Sequence, residues 1–214
     1  MLVLHRPLKL APEPGQEAGP AESPELIESN DYVTIDLGIV LPGCELHEVP
    51  TSQLAVWVAR VVETESPVHQ DIVGRRIALA VAVTRRGDRI QSAMSAAVAA
   101  ATHNNEIERR GEFLHHVDTV VRVRDRSTLD STERSIAHIC PEEIDLAIQE
   151  TLEATHGVAS QEIEPLVARR FGISRASKEV RTVISSQIQQ LQHAGNIMER
   201  LGFLEWIGSP EGAQ

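Results

Sequence analysis

The sequence predicts a mainly α chain with small β-hairpins, an α+β fold built as two tandem winged-helix domains. Three observations predict it. The chain repeats itself at an interval of ninety residues without a gap, each copy has three helical segments followed by a hairpin, and aromatics are only 3% of the 214 residues. So few aromatics leave Val, Ile, Leu and Ala to build the core.

The repeat organises everything else. Over residues 54–116 against 144–206 ten of sixty-three pairs are identical, among them Val68/Val158, Arg85/Arg175, Arg110/Arg200 and Phe113/Phe203. The apolar positions repeat more fully than the identities. Leu54/Ile144, Val58/Ile148, Val62/Leu152, Val73/Ile163, Ile77/Val167, Ile90/Val180, Met94/Ile184 and Val98/Ile188 preserve one core pattern.

In the first copy Leu54, Trp57, Val58, Val61 and Val62 recur at helical spacing, with Thr51 or Ser52 as N-cap and Pro67 closing the helix. A second helix is expected over His69 to Ala80. The third is expected from Thr84, with Ile90, Met94, Ala97, Val98 and Ala101 inward. Arg110-Gly111 and Leu201-Gly202 are turn chemistry between short apolar segments, so each copy should end in a hairpin. In the second copy Pro141 suits a first helical position, Glu142 and Glu143 suit the first turn, and the third helix is expected after Ser174. The competing arrangement is a generic helical bundle closed by a ribbon. The duplicated order and the Phe-Leu pair ending each hairpin favour the winged helix.

The expected organisation is an acidic, Pro/Gly-rich flexible tail over 1–50 with a strand pattern at 31–37, copy one over 51–116, a linker strand over 117–140, copy two over 141–207, and a tail over 208–214. In the linker, alternation puts Arg122, Arg124 and Arg126 on one face. That face is either a phosphate-facing edge or a solvated strand paired with Asp118, Asp125 and Asp130.

The net charge of -11 argues against a polyanionic partner until its distribution is considered. Residues 1–50 hold two basic and nine acidic groups, residues 51–116 hold eight and seven, and residues 141–207 hold six and ten. The acid is concentrated outside the first copy. Arg85, Arg86 and Arg89 are expected at the start of the third helix of copy one, and Arg175, Lys178 and Arg181 at the equivalent place in copy two. Cations there add to a helix N-terminus in attracting phosphate. Arg109 and Arg110 on one wing and Arg200 on the other complete the expected nucleic-acid contacts. The bland alternative pairs these arginines with Asp88, Glu108 and Glu179.

Nothing in the sequence suggests catalysis: G-x-x-x-x-G-K-[ST], G-x-G-x-x-G and H-E-x-x-H are all missing. Neither a cofactor nor a metal is expected. Adjacent His115 and His116 would point apart on a strand, and His138 with Cys140 lacks two further ligands. Two cysteines outside any C-x-x-C pairing, and no apolar run of about 18 to 20 residues, lead to the expectation of a cytoplasmic protein with no membrane partner.

Glu65-Ser66-Pro67-Val68-His69, Arg75-Arg76-Ile77, Thr84-Arg85-Arg86-Gly87-Asp88-Arg89-Ile90, Phe113, Val123-Arg124-Asp125-Arg126-Ser127 and Pro141-Glu142-Glu143-Ile144 together resemble an uncharacterised C-terminal domain of long bacterial superfamily I DNA/RNA helicase-like proteins. Those proteins also carry an endonuclease domain similar to the very-short-patch repair type. The resemblance spans about Leu46 to Trp206. It departs at Ala80-Val81-Ala82, where the family tends to have a Gly before Thr-x-Arg; copy two keeps Phe171-Gly172. It implies a non-catalytic accessory module, with helicase or nuclease domains as companions. The expected function is weak, salt-sensitive DNA binding through the third helices and wings. The alternative is a protein-interaction or dimerisation module without nucleic-acid contact.

Overall fold

The computed structural model describes residues 30–41, 43–83 and 87–208. Its described part is α+β, with six helices and two three-stranded antiparallel sheets. The first unit contains α1 (Thr51–Glu65), β1 (Val68–His69), α2 (Gln70–Ala80), α3 (Asp88–His103), β2 (Glu108–Arg110) and β3 (Phe113–His115). The second contains α4 (Pro141–Thr155), β4 (Val158–Ala159), α5 (Ile163–Arg170), α6 (Lys178–His193), β5 (Ile197–Arg200) and β6 (Phe203–Trp206). Strand orders β1-β3-β2 and β4-β6-β5 are the same. The ninety-residue interval carries α1 onto α4 and α3 onto α6 residue for residue.

Each sheet contains a strand that the hairpin reading omits. Val68 pairs with Leu114 and Val158 with Leu204, so the segment between the first two helices of each unit closes the hairpin from its other edge. A two-residue strand leaves no alternation to read; its trace in the sequence is the Val68/Val158 identity. Two apolar clusters form, one around Val58, Val62, Val73, Ile77 and Leu114 and the other around Ile148, Leu152, Ile163, Val167 and Leu204.

Helix starts depart from expectation where capping competes. Pro50 precedes α1, so neither Thr51 nor Ser52 caps it; His69 caps α2, its ring nitrogen accepting the Asp71 N–H at 3.2 Å. The third helices begin later than expected, at Asp88 after Gly87 and at Lys178 after Ser177. Ser177 Oγ accepts the Val180 N–H at 3.3 Å, a side-chain cap that Ser174 is too far away to supply. Pro141 occupies the first turn of α4 as expected. α5 is shorter than α2 because Pro165 fits only within a first turn.

The flexible tail read over 1–50 is corrected for its last twenty residues. Tyr32, Leu37, Leu46 and Val49 are buried, and Leu37, Leu46 and Val49 belong to the first core. A 3₁₀ turn over Leu46–Glu48 has its counterpart ninety residues on, at Ile136–His138. The repeat therefore starts before α1. Residues 31–37 and the linker are not strands: only an isolated bridge joins Asp31 to Asp125.

The arginine alternation of the linker has another cause. Arg124 and Arg126 both close on Glu143, a carboxylate with no side-chain exposure at the third position of α4. Arg126 donates to both Glu143 oxygens at 2.7 and 2.8 Å, and Arg124 donates through its amide and its guanidinium. The remaining Arg124 donors reach the carbonyls of Glu65, Ser66 and Pro67 in the first unit. Both guanidiniums lie over the Tyr32 ring at 4.8 and 4.9 Å. Tyr32 donates to Glu65, which also accepts from Arg76; Arg76 continues to Glu133. Neither a solvated strand nor a phosphate-facing edge describes Arg124 and Arg126, because both guanidiniums are largely buried and engaged at this seam.

Burial raises the Glu143 carboxyl pKa, but hydrogen bonds and charge from Arg126 and Arg124 outweigh it and hold the carboxyl below the usual glutamate range. Its contribution to stability is therefore full above the unfolded glutamate pKa and is lost as pH falls through the depressed folded value. Glu143→Ala should cost about 3–5 kcal/mol by stranding two buried guanidiniums. Glu143→Gln should flatten stability against pH in that acid window, as measured by urea unfolding at stepped pH.

The turns before α3 and α6 share a left-handed residue, Ala82 at φ +56° and Gly172 at φ +72°. An added Cβ at Gly172 would stand 2.4 Å from the Ser127 amide nitrogen. Ala82→Gly should raise stability by about 1 kcal/mol, whereas Gly172→Ala should lower it by at least about 2 kcal/mol, both read from denaturation midpoints.

Candidate nucleic-acid interface

The nine cations expected to contact a polyanion fall into distinct environments. Arg85 and Arg86 lie outside the described residues. Arg89 is exposed in the first turn of α3. Arg109 and Arg110 sit on the β2–β3 hairpin and are engaged there. The Arg109 Nε donates to the Gly111 carbonyl at 2.9 Å, and its guanidinium stands 3.9 Å from Glu112. Arg110 makes a two-point pair with Glu108 at 3.1 and 2.9 Å and stands 3.8 Å from Glu142. The Arg110 guanidinium holds the Glu108 carboxyl below its ordinary range. Both side chains are about half exposed, so water screens the pair.

In the second unit Arg175 precedes α6 by three residues, since the helix begins at Lys178. Lys178 occupies the first helical position. Arg181 lies one turn on, its Nε donating to the Ala176 carbonyl at 3.2 Å and its guanidinium reaching Glu164 only at 4.0 Å. Arg89, Arg175, Lys178 and Arg200 are exposed, without a hydrogen bond or ion pair among the described residues. Among the described residues, the pairing with Asp88, Glu108 and Glu179 is thus realised at Arg110 alone.

A shallow depression of about 210 Å³ opens at the start of α6, lined by Arg134, Arg175, Ser135, Ser177 and Glu179 among others. Arg134 is the cation missed by sequence reasoning. It lies in the linker, outside any helical or strand period, and its guanidinium donates to the Ser127 carbonyl at 3.0 Å. Spacing carried no signal for it.

Beyond the first turn, the exposed face of α6 carries Arg181, Thr182, Ser186, Gln189, Gln190 and His193, with no carboxylate. Donors and acceptors of this kind can bond to phosphates and to base edges in a major groove. The exposed face of α3 offers Gln91, Ser92 and Ser95, then Ala96 and Ala99. The two units present unequal surfaces.

The second hairpin differs from the first at its tip. Leu201 is 98% exposed with φ +53°, where the first hairpin has Gly111 at φ +60°; Phe203 and Met198 beside it are also exposed. A bulky left-handed residue with no burial is strained, with no packing to offset the strain.

The histidine and cysteine groupings considered from sequence separate. Cys140 is a core residue whose burial pushes its thiol up to about 12, so it is protonated at neutral pH. His115 is buried, with burial holding its ring below the usual histidine range. His138 faces His69 and Asp71. Among the described residues no helix is long and apolar enough to cross a membrane. No curated protein and no solved structure matches the chain. Residues 44–92, from the segment before α1 into the start of α3, match a family described as a protein of unknown function (DUF3320).

Proposed function

We propose that the chain is a non-catalytic DNA-binding module of two tandem winged helices, with α6 as its main contact. The observation that supports this reading best is the start of α6, where Lys178 and Arg175 are unpaired among the described residues and Arg134 lies alongside. The outward face that follows is free of carboxylates. The order of helix, strand, helix, helix and hairpin suits a winged helix, in which the third helix meets DNA. Arg89 and Arg200 extend the contact, while Arg109 and Arg110 contribute less because wing acids occupy them. Work beside a superfamily I helicase or nuclease suits such a module and rests on the resemblance of its motifs.

Titration of a labelled DNA duplex at stepped salt tests this. Binding should weaken steeply with salt, and Arg175→Glu with Lys178→Glu should lower the log-log slope by about two. Arg110→Gln should change affinity little. No binding at low salt, or unchanged binding in the double variant, would sink the proposal.

A second reading, docking to a protein, is favoured by the exposed Leu201, Phe203 and Met198. It expects Leu201→Ser to leave DNA titrations unchanged while altering the mass measured by light scattering.

A further inference from the structure

Three potential ligands from different parts of the chain converge at one surface point. His69 caps α2, Asp71 lies in its first turn, and His138 ends the 3₁₀ turn leading to α4. One ligand atom from each lies within 4.8 Å of the others. The rings of His69 and His138 are 4.8 Å apart between centroids. His69 is further held by the edge of Phe113 at 5.1 Å.

Hydrogen bonding fixes which nitrogens are open. His138 Nδ1 lies 2.9 Å from the Thr132 carbonyl, which can only accept, so Nδ1 carries the proton and the Nε2 lone pair is available. A carbonyl behind the far nitrogen is how proteins orient a ligating imidazole. His69 Nδ1 accepts the Asp71 N–H at 3.2 Å and stands 3.9 Å from Asp71 Oδ2, so its lone pair is engaged in the helix cap and ligation through it would replace that bond. Two imidazoles and one carboxylate are a borderline-soft donor set, suited to zinc-class cations rather than to calcium or magnesium.

We propose that His69, Asp71 and His138 bind one divalent transition-metal cation of the zinc class, with water completing its coordination. Ligand atoms around four-coordinate zinc lie about 3.3 Å apart, given bonds of about 2.0 Å. The three side chains must contract for the site to close on one cation. A bound cation would tie α2 of the first unit to the turn whose Ile136 and neighbouring Ile139 enter the second core. It would act as a clamp between units. This proposal does not depend on DNA binding.

Calorimetric titration of the full chain, free of any affinity tag, with Zn²⁺ should give one saturable site in the micromolar range. Co²⁺ should produce a visible d–d band, and either metal should raise the melting temperature. His138→Gln and His69→Asn should each weaken binding by more than about tenfold; Asn retains the helix cap. Asp71→Asn provides an independent variant should either histidine change unfold the chain. Absence of a saturable site, or binding unchanged in the folded variants, would overturn the proposal.

Discussion

The Glu143 carboxylate is the point on which the two units hang together. An unpaired charge at that depth would be prohibitively costly, and two guanidiniums from the linker neutralise it. Each guanidinium does more than balance charge. Arg124 satisfies three carbonyls where α1 ends, and Arg126 lies beneath Tyr32 and near Phe171. One carboxylate thus orders the linker, the segment carrying Tyr32 and the start of α4. Replacing such a network by apolar side chains can match it in stability, so its particular gain here is geometric definition.

The helical fold was largely legible because burial imposes a period that survives divergence. Val58/Ile148 and Ile77/Val167 needed no identity to be recognised as equivalent. Strands of two residues and the caps were not legible in the same way. His69 as a cap, and a third helix starting at Lys178 rather than directly after Ser174, depend on single hydrogen bonds that no periodicity encodes. At the interface, the sequence located clustered cations but could not distinguish occupied from open ones. Arg110 and Arg200 hold equivalent positions, yet Arg110 pairs with Glu108 two positions before it, where the second hairpin has Met198. The Arg124 and Arg126 pattern misled for a related reason: alternation describes direction, and only the fold reveals what lies in that direction.

Divergence between the units has a consistent sense. In the first, small alanines line the outer part of α3 and the hairpin arginines are engaged by neighbouring acids. In the second, glutamines and serine replace those alanines, and the Arg175 and Lys178 side chains at the start of α6 have no partner among the described residues. A duplicated fold permits this because each unit retains its own apolar cluster, so one outer surface can change while the other core is undisturbed.

The length of the linker also has a mechanical meaning. Arg126 and Glu143 are 17 positions apart in sequence, and their paired side chains close the intervening chain into a loop of set length. Lengthening that span by one residue would swing the guanidiniums away from their acceptor, whereas changes of side-chain type elsewhere leave the anchor intact. The length of this span is thus a constraint on the anchor in its own right, separate from the identity of the side chains along it.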